Sequence, residues 1–134
     1  MKNPMKKVLI LLLLVTVLFT CLADHGGRET IVVCASSEQY RNDALQEQLA
    51  EAFPDYNIIV SPIGKGFTIG RNRGLTLLHT DNRHQSREGA YMKACINYLT
   101  VYRTPFTESV SDCGVKPETA KIIRQIAEQV VLNR

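Results

Sequence analysis

At 134 residues the chain has room for one modest domain. Its formal charge of +3 comes from 16 Lys and Arg against 13 Asp and Glu, and three of those lysines, Lys2, Lys6 and Lys7, stand at the very start. From Asp24 onward 13 basic residues face 13 acidic ones, so the positive balance belongs to the leader and is no sign of nucleic-acid binding.

The chain opens as an export signal. Lys2, Lys6 and Lys7 form a basic n-region, residues 8–19 are almost unbroken Leu, Ile and Val, and the small residues Cys21 and Ala23 follow. The apolar run over 8–23 is 16 residues, short of the roughly 20 that a spanning helix needs, so 1–23 reads as a cleaved signal. Two cleavage modes are open. Leu18-Phe19-Thr20-Cys21 resembles a lipobox, in which Cys21 is lipidated and becomes the new N-terminus; this reading is preferred. Ordinary cleavage after Ala23 uses the small pair Cys21 and Ala23 instead. The first product is lipid-anchored to the outer face of the membrane, and the second is released to the periplasm or exterior.

Residues 24–29, with Gly26-Gly27, read as a flexible lead. The apolar, β-branched run 30–35 predicts a strand buried on both faces, as in parallel sheets. Ser36 and Ser37 stand where a helix would begin and can cap it, with Gln39 completing a capping box to Ser36. Over 38–53 Leu45, Leu49, Ala52 and Phe53 fall on one helical stripe, ringed by Glu47, Gln48 and Glu51, and Pro54 stops the helix. A second strand follows at 57–61 and ends at Pro62. Strand, helix, strand in about thirty-five residues is the size of one βαβ unit, so the fold class is α/β.

From Gly64 the composition changes. Gly64, Gly66, Gly70 and Gly74, with Lys65, Arg71 and Arg73, read as a glycine-rich basic loop, and Leu75-Thr76-Leu77-Leu78 as a brief third strand. Between Lys65 and Arg103 seven basic residues meet two acidic ones. Such a loop can cradle an anion, but solvated surface is the favoured reading. Two further helices cover the sheet. The first, 88–102, would place Tyr91, Cys95, Tyr98, Leu99 and Tyr102 on one side and end at Arg103-Thr104-Pro105. The second, 117–132, starts at Pro117, carries Glu118 in its first turn and has the stripe Ile122, Ile123, Ile126 and Val130. The small α/β domain so defined spans 30–134.

With Cys21 lipidated, Cys34, Cys95 and Cys113 remain. Cys34, inside the first strand, behaves as a small core residue. Cys95 and Cys113 either pair outside the cytoplasm, closing a loop worth about 3 kcal/mol, or stay as two thiols. No CxxC or His/Cys cluster points to a metal. His25, His79 and His84 stand without a nucleophile elbow or paired carboxylates, so neither an enzyme nor a cofactor is expected.

The best site candidate is the corner Ala35-Ser36-Ser37-Glu38, where hydroxyls and backbone N–H groups at a helix start suit an anion. In open α/β sheets ligands collect beyond the carboxyl ends of the strands, and the second such end is Ile63-Gly64-Lys65. Ser36, Ser37, Gly64 and Lys65 are therefore the candidate ligand-binding residues. The plain alternative is that Ser36 only caps a helix and Gly64 only turns the chain.

Val33-Cys34-Ala35-Ser36-Ser37-Glu38-Gln39-Tyr40, the break Phe53-Pro54-Asp55-Tyr56 and Asn57-Ile58-Ile59-Val60 resemble the start of bacterial extracellular solute-binding proteins, in the branch serving ABC importers of ferric iron, phosphonates and related solutes. Ile63-Gly64-Lys65 stands where that family has Thr-Gly-Lys. The resemblance covers about residues 1–65; residues 66–134 are unmatched. It implies a periplasmic-binding-protein-like lobe, a lipoprotein signal, solute contacts at Ser36, Ser37 and Gly64, and two partners: a small solute such as ferric iron or phosphonate, and an importer permease. The family folds as two lobes around its solute, so this chain reads as a truncated, frame-shifted or divergent receptor, incomplete relative to the family. The runner-up is a small envelope lipoprotein with a protein-interaction role and no transport function.

Overall fold

Strand β1, Leu18–His25, pairs antiparallel with β2, Arg28–Val33, and β3, Asn57–Val60, pairs parallel with β2 on its other side. The structure is a computed structural model that describes residues 18–25, 28–34, 42–107 and 110–133. The chain divides into two compact units: Met1–Ala35 with Tyr40–Ser61, and Ser36–Gln39 with Pro62–Arg134. The protein is a mixed α/β protein with four helices among the described residues.

In the first unit the β-branched runs pair in the register Thr30↔Asn57, Ile31↔Ile58, Val32↔Ile59 and Val33↔Val60. Side chains alternate across a strand, so Ile31, Val33, Ile58 and Val60 share one face. Helix α1, Asn42–Ala52, lays Leu45 and Leu49 on that face, and Phe53 closes its end. Leu49, Ile58 and Val60 are buried there. On the other face Thr30, Val32 and Cys34 are buried, with Thr30 Oγ1 accepting from Asn57 Nδ2 at 3.2 Å. The expected strand–helix–strand unit is present, with its strands parallel. Asp24, His25, Arg28 and Glu29, expected in a flexible lead, lie in β1 and β2.

The second unit holds α2, Ile63–Asn72, α3, Arg87–Tyr102, and α4, Pro117–Leu132, packed pairwise on one another. Helix α2 corrects the expectation of a glycine-rich loop. Gly66 and Gly70 are one turn apart on its inner side, where a Cβ would stand 2.3 Å from Ile96 Cδ1 and 2.8 Å from Met92 Cε. Glycine costs about 1 kcal/mol in a helix relative to alanine. Here the burial of Ile63 and Phe67 offsets that cost.

The stripes of α3 and α4 follow those read in the sequence at most positions. Tyr91, Cys95 and Leu99 are buried on α3 together with Met92 and Ile96, while Tyr98 is 42% and Tyr102 63% exposed. Along α4, Ala120, Ile123, Ile126, Ala127, Val130 and Val131 are buried and Ile122 is 37% exposed.

Residues 75–78 are not a strand; a single bridge joins Leu78 to Gln85. Leu77 is nonetheless fully buried. Its carbonyl accepts from Ser86 N at 3.0 Å, and Ser86 caps α3 by accepting from Gly89 N at 3.1 Å.

A Cβ on Gly89 would lie 2.0 Å from the backbone oxygen of Leu77, whereas one on Gly66 meets only the end of a flexible isoleucine. Gly89→Ala should therefore destabilise the protein by about 2–3 kcal/mol, at the upper end for overpacking. Gly66→Ala should cost under about 1 kcal/mol, because the gain in helix propensity partly offsets the clash. Urea unfolding of the two variants checks the order; equal stabilities would refute the close approach at Gly89.

Candidate functional site

Of the four residues expected to bind a ligand, Ser36 and Ser37 lie outside the described residues. Gly64 and Lys65 are the second and third residues of α2 and not part of a turn. Gly64 is buried and its carbonyl accepts from Thr68 Oγ1 at 3.1 Å, so the corner read as Ile63-Gly64-Lys65 is instead the first turn of a helix. Lys65 is exposed. Strand β3 leads there through Ser61 and Pro62, and Ser61 N donates to Val33 O at 2.8 Å, continuing the parallel ladder past Val60. Pro62 supplies no side-chain cap, and the first turn of α2 carries no acidic residue. Its early N–H groups and Lys65 together make a positively polarised helix start. Cys21, the expected lipidation residue, lies in β1 and pairs through its backbone with Thr30.

The helical unit contains a polar cluster that the sequence does not announce. The buried Tyr91 hydroxyl donates to Ser111 O at 3.1 Å and accepts from Arg124 Nη1 at 2.7 Å. The same Nη1 reaches Asp112 Oδ1 at 2.5 Å, and Arg87 Nη1 donates to Gly114 O at 3.2 Å. Burial raises the Tyr91 hydroxyl above its ordinary pKa, against the stabilising Arg124 bond. The Asp112 carboxylate raises that of Arg124, holding the guanidinium charged. Three side chains from two helices thus fasten the α3–α4 linker by its carbonyls and one carboxylate. Arg124 is already neutralised by Asp112, which leaves little field for a second anion.

Cys95 and Cys113, weighed above as a disulfide or as two thiols, are both free. Cys95 is buried on α3 beside Tyr91, and burial pushes its thiol up to about 11. It is therefore protonated at neutral pH and a slow nucleophile there. Cys113 is exposed, with φ +50°, and its Sγ stands 3.9 Å from Ser111 O.

The polar stretch after Leu78 is a tight hydrogen-bonded loop. Asp81 Oδ1 accepts from the N–H groups of Arg83 and His84 at 3.0 and 3.1 Å, and its Oδ2 lies 2.5 Å from His84 Nδ1. The His84 bond, followed by the two backbone donors, lowers the Asp81 carboxyl from 3.8 to about 2. His79 N donates to His84 O at 2.8 Å and closes the loop. Among the described residues no three or more His, Cys, Asp or Glu converge as metal ligands do, and no helix is long and apolar enough to cross a membrane.

Tyr91 was legible as a helix-face residue, but Arg124 was missed. The spacing Ala120, Arg124, Ala127, Val131 places it on the buried stripe of α4, and a lone arginine on such a stripe was the available signal. No protein-family model, no curated protein and no solved structure matches the chain.

Two measurements check this geometry. Tyr91→Phe leaves Ser111 O and one Arg124 N–H without their partner and should cost about 1–2 kcal/mol in chemical denaturation; unchanged stability would show that the linker is held elsewhere. The Asp81 carboxyl should titrate at about 2 by carbon-detected NMR, moving back toward 3.8 in His84→Ala. Because the folded pKa is the lower one, its contribution to stability is present above about pH 4 and fades as the pH falls through 2. A midpoint that His84→Ala does not move would remove His84 as its cause.

Proposed function

We propose that the chain is an exported, lipid-tethered protein that captures a small anionic solute, in the manner of the solute-binding lipoproteins of ABC importers. The observation that carries this reading is the start of α2. It follows directly on a parallel strand, has no capping side chain, carries no acidic residue in its first turn and presents the exposed Lys65. Helix starts of this kind bind phosphate and carboxylate groups. The resemblance over residues 1–65 adds Ser36 and Ser37 as hydroxyl contacts and a binding-protein-like lobe as the finer fold. It also assigns ferric iron, phosphonate or a related solute as cargo, with an importer permease as the partner. Gly64 enters through its backbone N–H, since its carbonyl is already occupied.

A second reading has its own support. Tyr98 and Tyr102 are exposed, with ring centroids 4.9 Å apart, and Phe106 stacks on Tyr98 at 5.5 Å. Exposed aromatic clusters are common at protein-binding surfaces, which favours a small envelope lipoprotein with an interaction role and no transport function.

Thermal unfolding with phosphate, a phosphonate and ferric citrate discriminates the two. A solute bound to the native state at 100 times its Kd stabilises it by about 2.7 kcal/mol, a clear rise in Tm. The solute reading expects such a rise with at least one of the three, lost in Lys65→Ala and in Ser36→Ala/Ser37→Ala. No rise with any of them counts against it. Capture of an envelope protein lost in Tyr98→Ala/Tyr102→Ala would then favour the second reading.

A further inference from the structure

Cys95 and Cys113 are 18 positions apart in sequence, yet both belong to the cluster built around Tyr91. Cys95 stands one helical turn after Tyr91 on the same side of α3. That hydroxyl donates to Ser111 O, and Cys113 Sγ rests 3.9 Å from the same oxygen. Cys95, on the Tyr91 side of α3, and Cys113, beside Ser111 O, thus flank the two ends of the Tyr91–Ser111 hydrogen bond. One is exposed and the other buried. The turn that carries Cys113 is closed by Val115 N donating to Asp112 O at 2.9 Å, and its two central residues, Cys113 and Gly114, both have positive φ. Rotation there re-aims the Cys113 side chain without unwinding either helix.

We propose that Cys95 and Cys113 are a thiol–disulfide redox pair, Cys113 the entry thiol and Cys95 the resolving one, whose oxidation locks the α3–α4 linker onto α3. The oxidant is a small-molecule or protein disulfide, RSSR. The Cys113 thiolate attacks one sulfur of RSSR, forming a mixed disulfide and expelling RS⁻. Cys95 gives up its proton to solvent and displaces the second RS⁻ from Cys113. Two protein thiols are oxidised, one disulfide is reduced, and the two protons end on two RSH. The second step is the slow one, because the buried Cys95 thiol is held protonated. The bond would fasten the same stretch of chain that Tyr91 and Arg124 hold through Ser111 O and Asp112. Oxidation and the hydrogen bonds are therefore partly redundant. This pairing does not depend on whether the chain binds a solute.

The test uses the full chain, incubated with oxidised glutathione or with dithiothreitol, alkylated, and digested with trypsin without reduction. Lys93, Arg103 and Lys121 place Cys95 and Cys113 on separate tryptic peptides, so a linked pair is read directly by mass. The expected result is an intrachain Cys95–Cys113 peptide, removed by dithiothreitol and absent from Cys113→Ser, whose exposed site tolerates the change. Cys95→Ala should stop the reaction at the Cys113 glutathione adduct. Tyr91→Phe should lower Tm less in the oxidised than in the reduced chain. A wild-type chain that stops at the Cys113 adduct, or that links only between molecules, overturns the proposal. So does an equal loss of Tm from Tyr91→Phe in both states.

Discussion

The helical unit depends on how closely backbone meets side chain at Gly66, Gly70 and Gly89. At each, the space of a Cβ is filled by another residue: Ile96 at Gly66, Met92 and Leu77 at Gly70, and the Leu77 carbonyl at Gly89. Leu77 thereby reaches full burial although it belongs to no helix or strand. The loop that carries it is fixed to the first turn of α3 by Ser86 N to Leu77 O, Ser86 Oγ to Thr76 O and Thr76 N to Glu88 Oε2. A larger residue at Gly89 would displace backbone, and with it the cap of α3.

The same constraint explains what could be read from the sequence. The βαβ start was legible because β-branched runs and the Leu45–Leu49 stripe are strong local signals and agree with the tertiary packing. The helices α3 and α4 were legible for the same reason. Helix α2 was not, since its glycines argue locally against helix and are present for a contact some 25 residues away in sequence, at Met92 and Ile96. Tyr91, Cys95 and Leu99 of the α3 stripe are buried as read, but Tyr98 and Tyr102 were misplaced because tyrosine counts as apolar in a stripe, although its hydroxyl lets both face solvent. For the site, Lys65 is exposed at the start of α2, and the glycine beside it, read in the sequence as a turn, lies within that helix. Sequence spacing could not say that its carbonyl joins a helix.

The α3–α4 linker has little apolar material of its own; among its described residues Val115 is the buried hydrophobic. It is held instead by long side chains, its own Arg103 and several from the helices. Arg103 Nη1 donates to Val131 O, Glu128 Oε1 accepts from Phe106 N, and Tyr91, Arg87 and Arg124 take the stretch around Asp112. Charge-assisted bonds of this kind are strong only while their partners stay desolvated and in place. A linker held so has a defined conformation without a hydrophobic seal, and can change that conformation without opening the core.

The N-terminal strand brings the export reading and the sheet into direct competition. Lipidation at Cys21 keeps Cys21–His25, and with it the pairs Cys21↔Thr30 and His25↔Arg28, but removes Leu18, Phe19 and Thr20 opposite Val33, Val32 and Ile31. Cleavage after Ala23 leaves only His25↔Arg28. In either of the proposed processed forms the outer edge of β2 would be opened where β1 covers it, and an open edge of Ile31, Val32 and Val33 is a template for pairing with another strand. The parallel pair β2–β3, with its cover by α1, is untouched by either event. So is the uncapped start of α2. The features on which the proposed solute capture rests are therefore those that the proposed processing would preserve, whereas β1 is the element that such export and the full-length sheet could not both keep.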